Sequence, residues 1–198
     1  MLIPGVLFFI VVYFITRIIF DLLLRGFMPF IPSRPWVVEQ LLDELELPKE
    51  DAICIAFSTG RSGFFHALER RYPKIKLFAN EHAKFPFVLA KLQAMVRSTG
   101  IKIFYERVHR VNVKDADFIY CHLDPEYLRG MGKKFKFECK PDTIIVSTGF
   151  SISDLEPFKI VPIKDRRGKF DWLSKNQKLF QLKSKKYKKE NKAFFYRI

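Results

Sequence analysis

The sequence predicts an α/β domain with a doubly wound sheet and a terminal antiparallel strand pair, preceded by one N-terminal transmembrane helix. Three observations carry this reading: an apolar run from Leu2 to Leu24, strand-like runs alternating with amphipathic stretches from Trp36 to Thr148, and a change of pattern beyond Phe150. Of 198 residues, enough remain after an anchor is subtracted to bury a core, so one folded domain is expected. The expected boundaries are an anchor over 1–27, the α/β domain over 28–163, and a basic segment over 164–198 that completes the sheet or lies on the membrane.

As a helix, the run from Leu2 to Leu24 would span about 34 Å, a membrane-crossing length. Its only charges are Arg17 and Asp21, four apart on one helix face, where they can pair close to the interface. A buried core helix or a cleaved signal peptide would be the other readings. A signal peptide needs a basic region before the run and a small-residue cleavage site after it, whereas here Arg25 is followed by Gly26, Phe27 and Met28. Arg17 lies toward the C-terminal end of the run, and Arg25, Arg34 and a basic domain follow it, which places the domain on the cytoplasmic side of the membrane by the positive-inside rule.

The formal net charge is +14, and most of the excess falls in residues 164–198, where lysines alternate with Phe180, Tyr187, Phe194 and Phe195. This interleaving suits anionic lipid headgroups at a membrane already held nearby. Nucleic acid would use the same charge, and a solvated tail would need no partner. With a membrane span present, lipid is the simpler partner, and no nucleic acid is expected. Cys54, Cys121 and Cys139 lie outside any CxxC array, and His66, His82, His109 and His122 have no ligand spacing, so neither a metal site nor a disulfide framework is expected.

Pro29, Pro32 and Pro35 punctuate a linker after the span, and Ser33 is placed to cap a helix from Trp36 to Leu45. Val37, Val38, Leu41, Leu42 and Leu45 give that helix its apolar face. Strands are expected at Ala52–Phe57, Lys74–Ala79, Ile101–Tyr105, Phe118–His122 and Thr143–Thr148, with helices at Ser62–Arg71, Phe85–Arg97 and Pro125–Lys136. A strand at Phe158–Ile163 and another within Lys178–Ile198 would form the terminal pair. In such a sheet the ligand site lies at the C-terminal ends of the first strands.

The strongest local signal is strand, tight turn and helix over Ile53–Gly63, with Glu81 after the second strand. Gly60 and Gly63 allow a sharp turn and close approach of a ligand, and a carboxylate at Glu81 suits the two hydroxyls of a ribose. A plain turn and a solvated acid would leave the same residues. A nicotinamide dinucleotide would want a complete GxGxxG turn, of which Gly60 to Gly63 supplies only the second half.

These features together resemble the small membrane-anchored class I methyltransferases whose mitochondrial members methylate lysines on inner-membrane proteins. The similarity rests on the anchor, Pro29–Ser33, the turn ending in Gly60 and Arg61, Glu81–Ala94, Asp115–Tyr120 and Ile145–Phe150, in this order. It implies a Rossmann-like methyltransferase fold, S-adenosylmethionine as cofactor and the ε-amino group of a protein lysine as acceptor. By position it implies that Ala56, Ser58 and Gly60 occupy the glycine places of the cofactor loop, Glu81 the ribose acid, and Glu106 or Arg107 the place beside the adenine. His122 and Asp124, after the fourth strand, then become the candidates for proton handling and for contact with an incoming lysine. As plain structure, Asp124 would cap the helix after Pro125 and His122 would be a packed strand residue. The chain departs from the family pattern at Cys54, where an acid is usual, and at Ala56 and Ser58, whose Cβ atoms limit the approach of a ligand. A chain that had lost cofactor binding would instead be a catalytically inactive membrane-surface binding module.

Overall fold

The computed structural model describes residues 2–24, 35–57, 63–96, 98–164 and 192–198. In chain order the elements are α1 (Leu2–Leu24), α2 (Pro35–Asp43), β1 (Ile53–Phe57), α3 (Phe64–Arg71), β2 (Lys76–Glu81), α4 (Lys84–Val96) and β3 (Lys102–Tyr105). After a 3₁₀ turn at Val108–Arg110 come β4 (Phe118–Cys121), α5 (Pro125–Leu128), α6 (Met131–Glu138), β5 (Ile144–Thr148), β6 (Lys159–Pro162) and β7 (Lys192–Arg197). The strands form one seven-stranded sheet in the order β3-β2-β1-β4-β5-β7-β6. Every pair is parallel except those of β7, which runs antiparallel to both β5 and β6. The sheet is therefore doubly wound, and its terminal strands form the antiparallel pair the sequence predicts.

Burial on both faces explains why β1 and β4 read as unbroken apolar runs and why β5 opens with three apolar residues in a row. One core packs α2 and α3 against the sheet: Trp36, Leu41, Phe64, Phe65 and Leu68 lie over Ala56, Phe118 and Tyr120. The other packs α5 and α6 against the opposite face, with Leu128, Met131 and Phe135 over Phe57, Ile119 and Ile145. Gln40 ties the end of β6 to α2, since its Oε1 accepts from Lys164 N at 2.9 Å and its Nε2 donates to Lys164 O at 2.8 Å.

A single carboxylate organises the N-terminal ends of the central strands. Asp117 Oδ2 accepts from Ile53 N at 2.8 Å and pairs with Lys49 Nζ at 3.1 Å, while Oδ1 pairs with Lys140 Nζ at 2.6 Å. Its backbone continues the arrangement, donating to Ile53 O at 2.9 Å and accepting from Ile144 N at 3.1 Å. Burial on its own would raise the Asp117 pKa, but the Ile53 hydrogen bond and the two lysines outweigh it and hold the carboxyl below the ordinary range.

The structure departs from the sequence expectations in four places. The helix expected over Pro125–Lys136 is two helices, because the chain leaves helical geometry at Arg129 (φ −60°, ψ 125°) and Gly130 takes up left-handed φ of 77°. The second strand runs on to Glu81, so this acid ends the strand rather than following it. Strand β4 stops at Cys121, one residue before His122. Among the described residues no helix is long and apolar enough to cross a membrane. Helix α1 has the expected bounds, Leu2–Leu24. The side chains of Arg17 and Asp21 are not among those described, and Arg25, the Ser33 cap and the lysine-rich stretch within 165–191 lie outside the described residues.

Two outcomes are expected. A Cβ at Gly132 would sit 1.9 Å from the backbone oxygen of Ser153, which cannot rotate aside, so Gly132→Ala should lower stability by about 1–3 kcal/mol in urea unfolding. Because the folded pKa of Asp117 is depressed, its stabilisation is fully present above the unfolded value of about 3.9 and is lost as pH falls through the folded value. The stability gap between wild type and Asp117→Asn should thus be widest at neutral pH and shrink below pH of about 4.

Candidate functional site

The order of strands turns back between β1 and β4: β2 and β3 follow on one side, β4 and β5 on the other. Connections leave the C-terminal ends of β1 and β4 toward opposite faces, which opens a crevice there. Most of the candidate residues converge on this crevice. Glu81 closes β2 and is 3 % exposed, and its backbone oxygen accepts from Glu106 N at 3.2 Å. Glu106 follows β3 and turns its Oε1 back to Arg107 N at 2.8 Å. The ends of β2 and β3 are thereby fastened to each other, with both acids at the same end of the sheet.

Ala56 lies inside β1, fully buried, in register between Ala79 of β2 and Tyr120 of β4. What it offers a ligand is small size near the strand end, not a side-chain contact. Ser58 and Gly60 lie outside the described residues. Past them, Gly63 has φ of 73°, a left-handed conformation that lets the turn enter α3 without strain. Cys54, where the family resemblance expects an acid, is fully buried, and burial pushes its thiol up to about 12. It is neutral at physiological pH.

His122 is half-buried just beyond β4, with Nδ1 2.8 Å from Thr148 Oγ1 at the end of β5. The same hydroxyl is 3.3 Å from Tyr120 Oη, and the Tyr120 ring stacks on Phe64 with centroids 4.1 Å apart. Period-2 alternation explains the cluster, since Tyr120 and His122 leave the same face of β4 and Thr148 stands beside them. Asp124 is exposed at the start of α5, where its backbone oxygen accepts from Tyr127 N and Leu128 N, but its side chain makes no cap hydrogen bond. The capping role that the plain reading assigns to it therefore belongs to its backbone alone.

Sequence reasoning missed four residues: Asn80, the ring pair His82 and Tyr127, and Thr148. Asn80 is fully buried and donates through Nδ2 to Glu106 O at 2.8 Å, while its Oδ1 has no hydrogen-bond partner among the described residues. An unmet buried acceptor beside a carboxylate suits a ligand bearing hydroxyl or amino donors. His82 and Tyr127 meet with ring centroids 4.5 Å apart. Since β1 lies between β2 and β4, this ring pair bridges the C-terminal end of β1. Thr148 is the last, and only its level with His122 across β4 and β5 reveals it. Alternation along β4 was a usable signal for the Tyr120–His122 pairing; no local signal joins His82 to Tyr127, 45 positions later.

Among the described residues no group of three His, Cys, Asp or Glu side chains is placed to hold a metal ion. A cleft of about 570 Å³ lies at the other end of the sheet, lined by Asp43, Glu44, Asp142, Phe158 and Arg197. It opens beside the first residues of β5 and β6, away from the crevice.

No protein-family model matches the chain, and no curated protein matches it in sequence. Solved structures do. An RNA methyltransferase from Salinibacter ruber in complex with S-adenosyl-L-homocysteine superposes with a TM-score of 0.64 at 14% identity, over 85% of this chain and 94% of that one. A geranyl diphosphate C-methyltransferase from Streptomyces coelicolor A3(2), holding Mg²⁺, geranyl diphosphate and S-adenosyl-L-homocysteine, gives 0.58 at 11% identity over 81% and 77%. The B. subtilis tRNA methyltransferase TrmK gives 0.57 at 10% identity over 81% and 64%.

Burial also sets the reactivity of the thiols around the sheet. Cys121 is raised by the same desolvation as Cys54, and burial pushes Cys139 up to about 12. A disulfide reagent such as Ellman's at pH 8 should therefore label the native chain slowly and all three cysteines promptly after unfolding. Through its strand order, its reversed seventh strand and its likeness to these enzymes, the chain has the Rossmann-like methyltransferase fold.

Proposed function

We propose that this protein is a membrane-anchored S-adenosylmethionine-dependent methyltransferase whose acceptor is the ε-amino group of a lysine on a membrane-proximal protein. The observation that carries the cofactor assignment is Glu81, a buried carboxylate ending β2 at the switch-point crevice, with the unmet Asn80 acceptor one residue before it on the other face of the strand. Glu81 would hold the ribose hydroxyls, and Asn80 and Glu106 would face the base. The cofactor supplies an electrophilic methyl group on a sulfonium. What remains for the chain is to align a neutral amine with that methyl and keep water away, which is mostly a matter of positioning. His122, held by Thr148, would take the proton that the amine releases, and the exposed carboxylate of Asp124 would draw an incoming ammonium.

The anchor and the acceptor class have their own support. From Val6 to Ile15 every large side chain of α1 is apolar and exposed, and Phe9 reaches 73 %. A helix apolar on all sides is at home in lipid, not in water. A net charge of +14 would hold the domain to an anionic bilayer on the cytoplasmic side, with lipid headgroups as partners of the basic segment. Lysines of membrane proteins would then be the acceptors in reach.

One observation favours a second reading, in which the fold is a catalytically inactive module on the membrane surface. Cys54 is buried and neutral where the family resemblance expects a charged acid at the end of the first strand, and it is the second residue of β1, so the chain does not supply that acid to the crevice.

Calorimetry on the full chain in detergent micelles separates the two. Saturable binding of S-adenosylmethionine or S-adenosylhomocysteine is expected, and Glu81→Ala should weaken it by about 1–3 kcal/mol without unfolding the domain. A folded chain that binds neither ligand would leave the module. Methyl label from radioactive cofactor, added to membranes, should enter protein and vanish on proteolysis; label retained on RNA would replace the proposed acceptor.

A further inference from the structure

Helix α4 carries a face that the fold does not use. Leu89, Ala90 and Gln93 are buried toward the sheet, yet the opposite side presents Phe85, Val88, Leu92, Met95 and Val96 to solvent, with Phe85 66 % and Met95 70 % exposed. At 100° per residue these five fall within an arc of about 100°, the width of a stripe that a helix normally buries. Lys84 and Lys91 border this arc on one side, and both are exposed. Lys91 lies back over Phe87, with its Nζ 4.7 Å from the ring centroid, which leaves the apolar arc clear. A single exposed leucine is ordinary on a protein surface; five large apolar side chains on one helix face are not.

The neighbour of this face identifies its occupant. Helix α1, apolar and exposed along Val6–Ile15, comes against α4, and the exposed stripe persists in its presence. The two helices are thus neighbours that each expose apolar side chains, and lysines edge the stripe on α4. We propose that α4 lies in the bilayer interface as a second membrane contact, its stripe immersed among the upper acyl chains and Lys84 and Lys91 reaching the phosphates. This placement rests on α1 being the anchor proposed above. It also orients the catalytic end: α4 leaves the C-terminal end of β2 only three residues after Glu81, so the crevice mouth is held near the membrane surface. Acceptors would then be side chains emerging close to the headgroups.

Spin labels on the full chain test this in vesicles of phosphatidylcholine and phosphatidylglycerol. Single cysteines are introduced by Val88→Cys, Met95→Cys, Ile10→Cys and, as an aqueous control, Phe137→Cys on α6, which is 87 % exposed. Cys139→Ser supplies the background, the other two native cysteines being buried. Positions 88 and 95 should collide with oxygen several-fold more than with a water-soluble nickel chelate, as position 10 should, while position 137 shows the reverse. Aqueous behaviour at 88 and 95 with lipid contact at 10 would overturn the inference and leave the anchor standing. Aqueous behaviour at 10 as well would remove the anchor itself. Spin–spin broadening at 88 or 95 without lipid contact would assign the stripe to a second copy of the chain and overturn the proposal.

Discussion

Asp117 ties three strands together at the end of the sheet opposite the crevice. Its carboxylate holds the first amide of β1 while its backbone meets β1 and the first residue of β5, and two lysines close around it. In a parallel sheet a one-residue slip turns every side chain to the other face. Here such a slip between β1 and β4 would separate Cys54 from Phe118 and Phe57 from Cys121, and move His122 away from Phe57 O, its backbone partner at 3.4 Å. A clamp at the N-terminal ends thus decides which residues meet at the C-terminal ends. Charge-assisted hydrogen bonds on both carboxylate oxygens make it a strong one.

The same register sets the chemistry of the crevice. Glu81 and Asn80 sit at the end of β2, Glu106 is tied to both through backbone contacts, and Thr148 reaches His122 from β5. These groups come from four strands and depend on no single loop. The reversed β7 supports them from the other flank, since it pairs with β5 along its whole length and Tyr196 Oη accepts from Ile152 N at 2.8 Å just beyond the strand end. Membrane contact adds a constraint from outside. If α1 and α4 share one apolar surface, the crevice has a fixed height above the bilayer, and acceptor choice becomes partly a matter of reach.

Much of this architecture was legible in the residues. The strand run at Ile53–Phe57 is apolar throughout, and that at Ile144–Thr148 is apolar over its first three residues, because both faces are covered, and their spacing with amphipathic helices leaves few topologies open. Glu81 was legible as a candidate because a carboxylate beside a strand end after a glycine turn suits a ribose, although a solvated acid leaves the same pattern. Less legible were the elements that depend on one backbone position. Nothing in Pro125–Lys136 marks a break except Gly130 and Gly132, and glycine inside a helical pattern is often tolerated. The role of Asp117 was hidden because an acid before an apolar run reads as a solvated loop residue.

By itself the sequence determined the order of elements, the apolar N-terminal helix, the excess of basic charge and the strand-end acid, because periodicity, composition and spacing are local properties. Only the tertiary structure decided which residues share a site. His82 and Tyr127, Tyr120 and Thr148, and Asp117 with Lys49 and Lys140 are far apart in the chain and meet only through strand order and register. The apolar outer face of α4 belongs to the same class, for a helix shows which of its faces is spare only once the sheet has covered the other.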